Sequence, residues 1–151
     1  MHIGIISDTH GLLRPEAIQA LTGVAHILHA GDVGKVEVLD HLTEIAPVTV
    51  IRGNVDRRPG VGELPLTEAV ELGGVWFYLV HDIEDLDIDP IEAGMQVVVY
   101  GHSHIPKVEE KNGVLFVNPG SAGPRRFKLP VTLMRMNLDK RPFQPEWVHL
   151  L

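Results

Sequence analysis

The side chains able to hold a metal or move a proton are gathered in five short polar clusters of this chain. They are Ser7-Asp8-Thr9-His10-Gly11, Gly31-Asp32-Val33, Gly53-Asn54-Val55-Asp56, His81-Asp82 and Gly101-His102-Ser103-His104. Together they offer the carboxylates of Asp8 and Asp32, the carboxamide of Asn54 and the imidazoles of His10, His81, His102 and His104. Neutral imidazole is the commonest protein ligand for transition metals. Taken singly, each residue has an ordinary reading: Asp8 and Asp32 as turn formers or helix N-caps, Asn54 as a turn residue, His81 as a hydrogen-bonded loop histidine. Taken together, the seven exceed what one ion can use. They suit two ions that share a bridging carboxylate, roughly 3.5–4 Å apart, a pair able to activate water and polarise a phosphoryl oxygen. Mixed oxygen and nitrogen ligation favours Mn, Fe, Zn, Co or Ni over Ca or Mg.

Such convergence requires elements that end at a common edge. "HIGII" (2–6), "VAHILHA" (24–30) and "PVTVIRG" (47–53) are strand-like. "PEAIQALT" (15–22), with Pro15 in its first turn, and "KVEVLDHLTEI" (35–45) fit helices between them. This β-α-β-α-β order predicts a parallel sheet with helices packed on it. Downstream the pattern becomes hairpin-rich. Gly73-Gly74 separates "TEAVEL" from "VWFYLV", and Asn112-Gly113 separates "KVEEK" from "VLFVN". "VTLMRMNL" and "EWVHL" predict a final antiparallel pair, and "DPIEAG" (89–94) a short helix. Each polar cluster follows a predicted strand, and open α/β sheets bind ligands beyond the carboxyl ends of their strands. If "VVVYGHSH" stayed extended, His102 and His104 would point to one side and Ser103 away. The remaining histidines, His2, His26, His29, His41 and His149, fall within strands or a helix and read as structural, with His29 near enough to Asp32 to support it.

Composition narrows the chemistry. At 151 residues with 44% hydrophobic content the chain can form one ordinary core. The absence of cysteine excludes disulfides, iron–sulfur clusters and thiol nucleophiles. "GDVGKV" lacks the spacing of a P-loop, and "DTH" lacks the second aspartate of an Asp-x-Asp nucleophile motif. A formal net charge of −7 without a basic tract argues against extended nucleic acid. No apolar run approaches the roughly 18 residues of a membrane span. The opening "MHIGIISDTHG" lacks the basic start and apolar stretch of a signal peptide, so a cytoplasmic location is expected, with no membrane partner and a homo-oligomer left open.

The ordered set D-x-H, G-D, G-N, a lone His and G-H-x-H resembles the signature of calcineurin-like metallophosphoesterases. "ISDTHG", "HAGDV", "IRGNVD", "GHSHIP" and "NPGS" resemble the small YfcE-type phosphodiesterases, over residues 3 to about 126. The resemblance implies an α/β fold, a four-layer αββα sandwich of two mixed β-sheets flanked by helices, in a single domain covering 1–151. It implies that Asp8, His10, Asp32 and His104 bind a first divalent ion and that Asp32 bridges to a second. Asn54, His81 and His102 would complete the second site, so that His102 and His104 serve different ions. Mn²⁺ is the first expectation for both. Asp32, Asn54 and His102 would stand nearest the chemistry: hydrolysis of a small phosphate ester, most simply a phosphodiester, by in-line attack of a metal-bridging hydroxide without a covalent intermediate.

Two positions depart from the family pattern. Where many relatives carry Gly-Asn-His-Glu, with a histidine that contacts phosphate and protonates the leaving group, this chain has Val55 followed by Asp56. Asp56 is the nearest candidate donor, but neighbouring cations would hold it ionised and poor at donation. Asp82 replaces the usual glycine after His81 and adds negative charge. Arg57 and Arg125, with their neighbours Arg58 and Arg126, are the candidate substrate-phosphate contacts. The "NPGS" segment (118–121) either lines the pocket or forms a turn. The alternative function is a non-catalytic metal-binding or scaffold protein on the same fold, resembling the retromer subunit.

Overall fold

The computed structural model describes residues 1–151. Two five-stranded sheets pack face to face. The first contains β1 (His2–Ile6), β2 (His26–His29), β3 (Val48–Val50), β9 (Thr132–Asn137) and β10 (Glu146–His149), in the order β10-β9-β1-β2-β3. The second contains β4 (Thr67–Leu72), β5 (Val75–Val80), β6 (Val97–Val99), β7 (Lys107–Lys111) and β8 (Val114–Asn118), in the order β4-β5-β6-β8-β7. Both are mixed. β1, β2 and β3 run parallel, and β9 and β10 add antiparallel strands. β5, β6 and β8 run parallel between the antiparallel edges β4 and β7. The Gly73-Gly74 and Asn112-Gly113 hairpins form where the sequence expects them, with positive φ at all four residues.

Strand alternation builds the layers. Ile3, Ile5, Leu28, Met134 and Met136 of the first sheet meet Val75, Phe77, Leu79, Val97 and Val99 of the second in one dry core. Each such side chain, fully buried, contributes roughly 1.5–3 kcal/mol. The intervening residues Ile6, Ile27 and Leu133 face outward, under helices α1 (Pro15–Ala20) and α2 (Val36–Ile45), where Ala17, Val38, Leu42 and the α1 C-cap residue Leu21 cover them. On the far side Tyr78, Val80, Val98 and Tyr100 are covered by Ile83, Leu86, Ile88 and Met95.

That fourth layer contains a single 3-10 turn, Ile83–Asp85, followed by irregular chain. The helix expected at 89–94 does not form; the segment is a set of turns. The Asp89 carboxylate caps the Ile91 and Glu92 amides, and Gly94 at φ 77° ends the segment, too short for a costly helical nucleus. No helix is long and apolar enough to cross a membrane. The parallel directions of β1, β2, β3, β5 and β6 send all five polar clusters to one edge of the sandwich.

Candidate metal centre

The loops at that edge share a backbone device. Asp8, His10, Asp32, His102 and His104 all hold left-handed backbone, with φ of 55°, 46°, 55°, 68° and 62°. Asp and His enter this region more readily than most residues, yet five at one site is unusual. Each interrupts strand geometry and turns the chain. The extended reading of "GHSH" therefore gives way to a turn. His102 packs edge-on to His81 at 5.4 Å between ring centroids, while His104 lies 5.3 Å from His10. The two histidines face different halves of the site.

Neither Asp8 nor Asp32 is a helix cap, because the N-cap positions belong to Arg14 and Lys35. Asp8 Oδ2 accepts from the Ser7 hydroxyl at 2.7 Å and the His102 amide at 3.2 Å. Its Oδ1, fully buried, has no hydrogen-bond partner. Around that oxygen stand His104 Nε2 at 3.3 Å, His10 Nε2 at 3.7 Å and His81 Nε2 at 3.9 Å. Asp32 repeats the division. Its Oδ1 accepts from the Val55 amide at 3.0 Å, and its Oδ2 lies 3.1 Å from His81 Nε2 and 3.6 Å from His10 Nε2. Each carboxylate thus has one oxygen held by the protein and one turned to the imidazoles.

His81 Nδ1–H donates to the Ala30 carbonyl at 2.7 Å, which leaves Nε2 as the ligating nitrogen. Besides Asp8 Oδ1, the buried atoms His10 Nε2, His81 Nε2 and His104 Nδ1 lack hydrogen-bond partners. Orphaned polar atoms of this kind cost about 1–3 kcal/mol each, a penalty that a bound cation removes. Two ligand groups emerge, Asp8-His10-His104 and Asp8-Asp32-His81, in each of which one donor atom per residue falls within 4.8 Å of the others. The residues present fit divalent metal.

Electrostatics agree. Burial pushes the Asp8 carboxyl up, but His10, His104, His81 and the Ser7 hydroxyl outweigh it and hold it far below the usual carboxylate range. Burial likewise opposes ionisation of Asp32, while His81 and the Val55 amide pull it below its ordinary value. Burial disfavours a charged His81, yet the Asp32 and Asp8 carboxylates raise it to about 9.

A second layer of buried groups braces these loops. His29 Nδ1 accepts from the Gly31 amide, and its Nε2 faces Thr9 Oγ1 at 3.0 Å; Thr9 in turn donates to the Val33 carbonyl. Burial lowers His29 to about 4, so it is neutral here and supports the Asp32 loop. The "NPGS" segment proves to be bracing rather than lining. Asn118 Nδ2 donates to the Gly101 carbonyl and Ser103 Oγ, and Ser121 Oγ donates to the Asp8 carbonyl. Sequence reasoning gave these side chains no such role; their burial was the missing signal. Gly53 and Gly101 allow the loops to meet, since a Cβ on Gly53 would overlap the Asp32 carboxylate and one on Gly101 the Ser7 and Asp8 side chains.

The expected ligands do not all sit alike. Asp8, Asp32, His81 and His104 are buried and His10 nearly so, whereas Asn54 and His102 are exposed at the rim. Asn54 and His81 line a cleft of about 440 Å³, together with Arg52, Arg57, Asp82, Asp85 and Asp87. Asp82 lies 3.6 Å from His102 Nε2. Arg58 lines a different depression, with Lys35 and His41, and Arg125 and Arg126 are exposed on the loop after Gly123, away from the cleft lining. Arg52, Asp85 and Asp87 enter the cleft without having been singled out by sequence.

The model of the calcineurin-like phosphoesterase superfamily domain matches residues 1–141. The chain belongs to that superfamily. A probable metallophosphoesterase of Methanothermobacter thermautotrophicus is 35% identical, over 93% of this chain and 88% of the relative. A solved archaeal phosphodiesterase superposes with a TM-score of 0.81 at 26% identity, covering 98% of this chain and 100% of the other. Vps29 of Entamoeba histolytica, solved in complex with Zn²⁺, superposes at 0.75 with 23% identity over all of both chains, a likeness of fold. This superfamily uses divalent metals, in keeping with the Asp and His groups found at the sheet edge.

Proposed function

We propose that this chain is a two-metal phosphoesterase that hydrolyses small phosphate esters, phosphodiesters foremost, with Mn²⁺ as its first-choice ion. The observation that supports this best is the convergence of one free oxygen each from Asp8 and Asp32 with the ring nitrogens of His10, His81 and His104. Asn54 and His102 at the rim would complete the second ion's ligands. When bound, the ions supply Lewis acidity toward the phosphoryl oxygens and an activated water as nucleophile.

The chain's own groups do the rest. His81, with Nδ1 committed to Ala30, presents Nε2 in the correct tautomer. The cleft beside Asn54 has room for a small ester substituent, within the usual range of roughly 300–1,000 Å³ for ligand pockets. Arg57 and Arg52 can meet phosphate oxygens there, which would leave the ester group to Asp82, Asp85 and Asp87 of the same lining. Val55 beside Asn54 carries no proton to donate. Asp56 does not replace it, because both of its oxygens accept backbone N–H groups. A cytoplasmic protein with small phosphate esters as its partners, rather than extended nucleic acid or membrane, completes the proposal, supported by the net charge of −7.

The alternative is a metal-binding scaffold without turnover, in keeping with the Vps29-like fold. One preparation separates the readings: metal content is measured beside hydrolysis of bis(p-nitrophenyl) phosphate with and without chelator. Two ions and chelator-sensitive turnover are expected. Metal binding without turnover would favour the scaffold, and absence of both would sink the two-metal reading.

A further inference from the structure

Asp56 is 2% exposed, and no part of the proposed chemistry uses it directly. A buried carboxylate needs compensation, and three backbone amides provide it. Oδ1 accepts from Gly34 at 2.9 Å; Oδ2 accepts from Gly53 at 2.8 Å and from Val33 at 3.2 Å. Val33 and Gly34 directly follow Asp32 in the loop after β2, while Gly53 belongs to the loop after β3. The reverse bond also exists, since the Val55 amide donates to Asp32 Oδ1. Each loop therefore offers a carboxylate to the other's backbone. Asn54 lies between the two bonded amides: Gly53 is tied to Asp56 and Val55 to Asp32. Its side chain is at the exposed rim, yet its backbone is fixed on both flanks.

We infer that Asp56 is a positioning residue: it locks the Asp32 loop to the Asn54 loop and so sets the geometry of the second metal site before any ion arrives. This rests on the two-ion reading above. The first site takes only Asp32 from the clasped loops and draws Asp8, His10 and His104 from others, so it depends on the clasp less than the second site, which needs Asp32 and Asn54 together. Asp56→Asn keeps the shape but replaces one acceptor oxygen with a donor that faces backbone N–H groups. Groups that orient ligands in this way typically alter metal affinity by about 10–100-fold.

The experiment is a two-site Mn²⁺ titration of wild type and D56N, combined with electron paramagnetic resonance of the loaded proteins. In D56N the second equivalent should bind about 10–100-fold more weakly, with a smaller loss at the first. The exchange-coupled multiline spectrum of the wild-type pair should give way to the six-line spectrum of an isolated ion. Equal affinities and an unchanged coupled spectrum in D56N would overturn the inference. If D56N does not fold, amide hydrogen exchange on metal-free wild type decides the matter. Val33, Gly34, Gly53 and Val55 should remain protected in EDTA, and free exchange would show that no clasp exists before metal binds. A wild type that takes up only one ion would remove the second site and the proposed function together. A wild type that binds two ions but hydrolyses nothing would leave the clasp standing and remove only the enzymatic reading.

Discussion

Asp8 and Asp32 are near-equivalents in geometry. Each carboxylate has one oxygen tied to backbone or hydroxyl and one facing imidazoles. The resemblance gave the bridge to Asp32 alone, whereas both ligand groups contain Asp8. Loss of either carboxylate should therefore weaken both ions. In two-site titration, Asp8→Asn and Asp32→Asn should each lower both affinities, whereas His10→Ala should lower chiefly the first. Two equivalents bound at wild-type strength in Asp8→Asn would exclude its place between the ions. A second residue-scale prediction concerns Val55, half-exposed next to Asn54 in the chain. With Asp56 engaged by three amides, departure of the alcohol lacks a positioned proton donor. Across substituted phenyl phosphodiesters at saturating Mn²⁺, the rate should fall steeply as leaving-group pKa rises. Val55→His should flatten that slope, raising the rate with poor leaving groups by up to about 10²–10⁴-fold. A slope that is already flat in the wild type would mean that another donor is present.

At the scale of elements, the strands and hairpins were legible because alternation and Asn-Gly or Gly-Gly pairs are local signals. The gathering of five polar clusters at one edge was legible too, because parallel strands must release their loops on the same side. Three features were not. The left-handed backbone of the ligand residues leaves no sequence mark when the residue is Asp or His rather than Gly. The bracing by Asn118 and Ser121 depends on burial beneath other loops. The irregular fourth layer depends on length, because Gly94 at φ 77° ends the 89–94 segment before a helical nucleus can be offset. The left-handed turns also carry a measurable cost. Comparing His10→Gly with His10→Ala removes the imidazole from both and leaves only the backbone preference at φ 46°. In EDTA, the glycine variant should be more stable by about 1–2 kcal/mol in urea unfolding. Equal stability would show that the turn relaxes once the side chain is gone.

For the whole molecule, stability should depend on metal and pH together. Binding that favours only the folded state adds about 2.7 kcal/mol at a hundredfold excess over the dissociation constant. EDTA should accordingly lower Tm, and Mn²⁺ should restore it. His81 titrates at about 9 in the metal-free fold against 6.5 ordinarily. Its contribution to metal-free stability is complete below pH 6.5 and is lost as pH rises through 9. The same proton competes with the ion, so metal binding should strengthen over that interval. The Tm gap between loaded and metal-free protein should widen from pH 6.5 to 9, and a constant gap in differential scanning fluorimetry would exclude His81 as the titrating ligand.

The ligand groups also join the two sheets, because Asp8, His10 and Asp32 follow strands of one, and His81 and His104 follow strands of the other. In a chain without cysteine, bound ions would act as a reversible staple between Asp8 and His104, positions far apart in sequence. A permanent cross-link closing a loop of roughly 100 residues is worth about 4.7 kcal/mol in the chain-entropy picture. Unlike a disulfide, this one opens whenever the metal supply fails. The protein's lifetime in a cell, and not only its activity, should then rise and fall with available metal, which makes its abundance a slow record of metal nutrition.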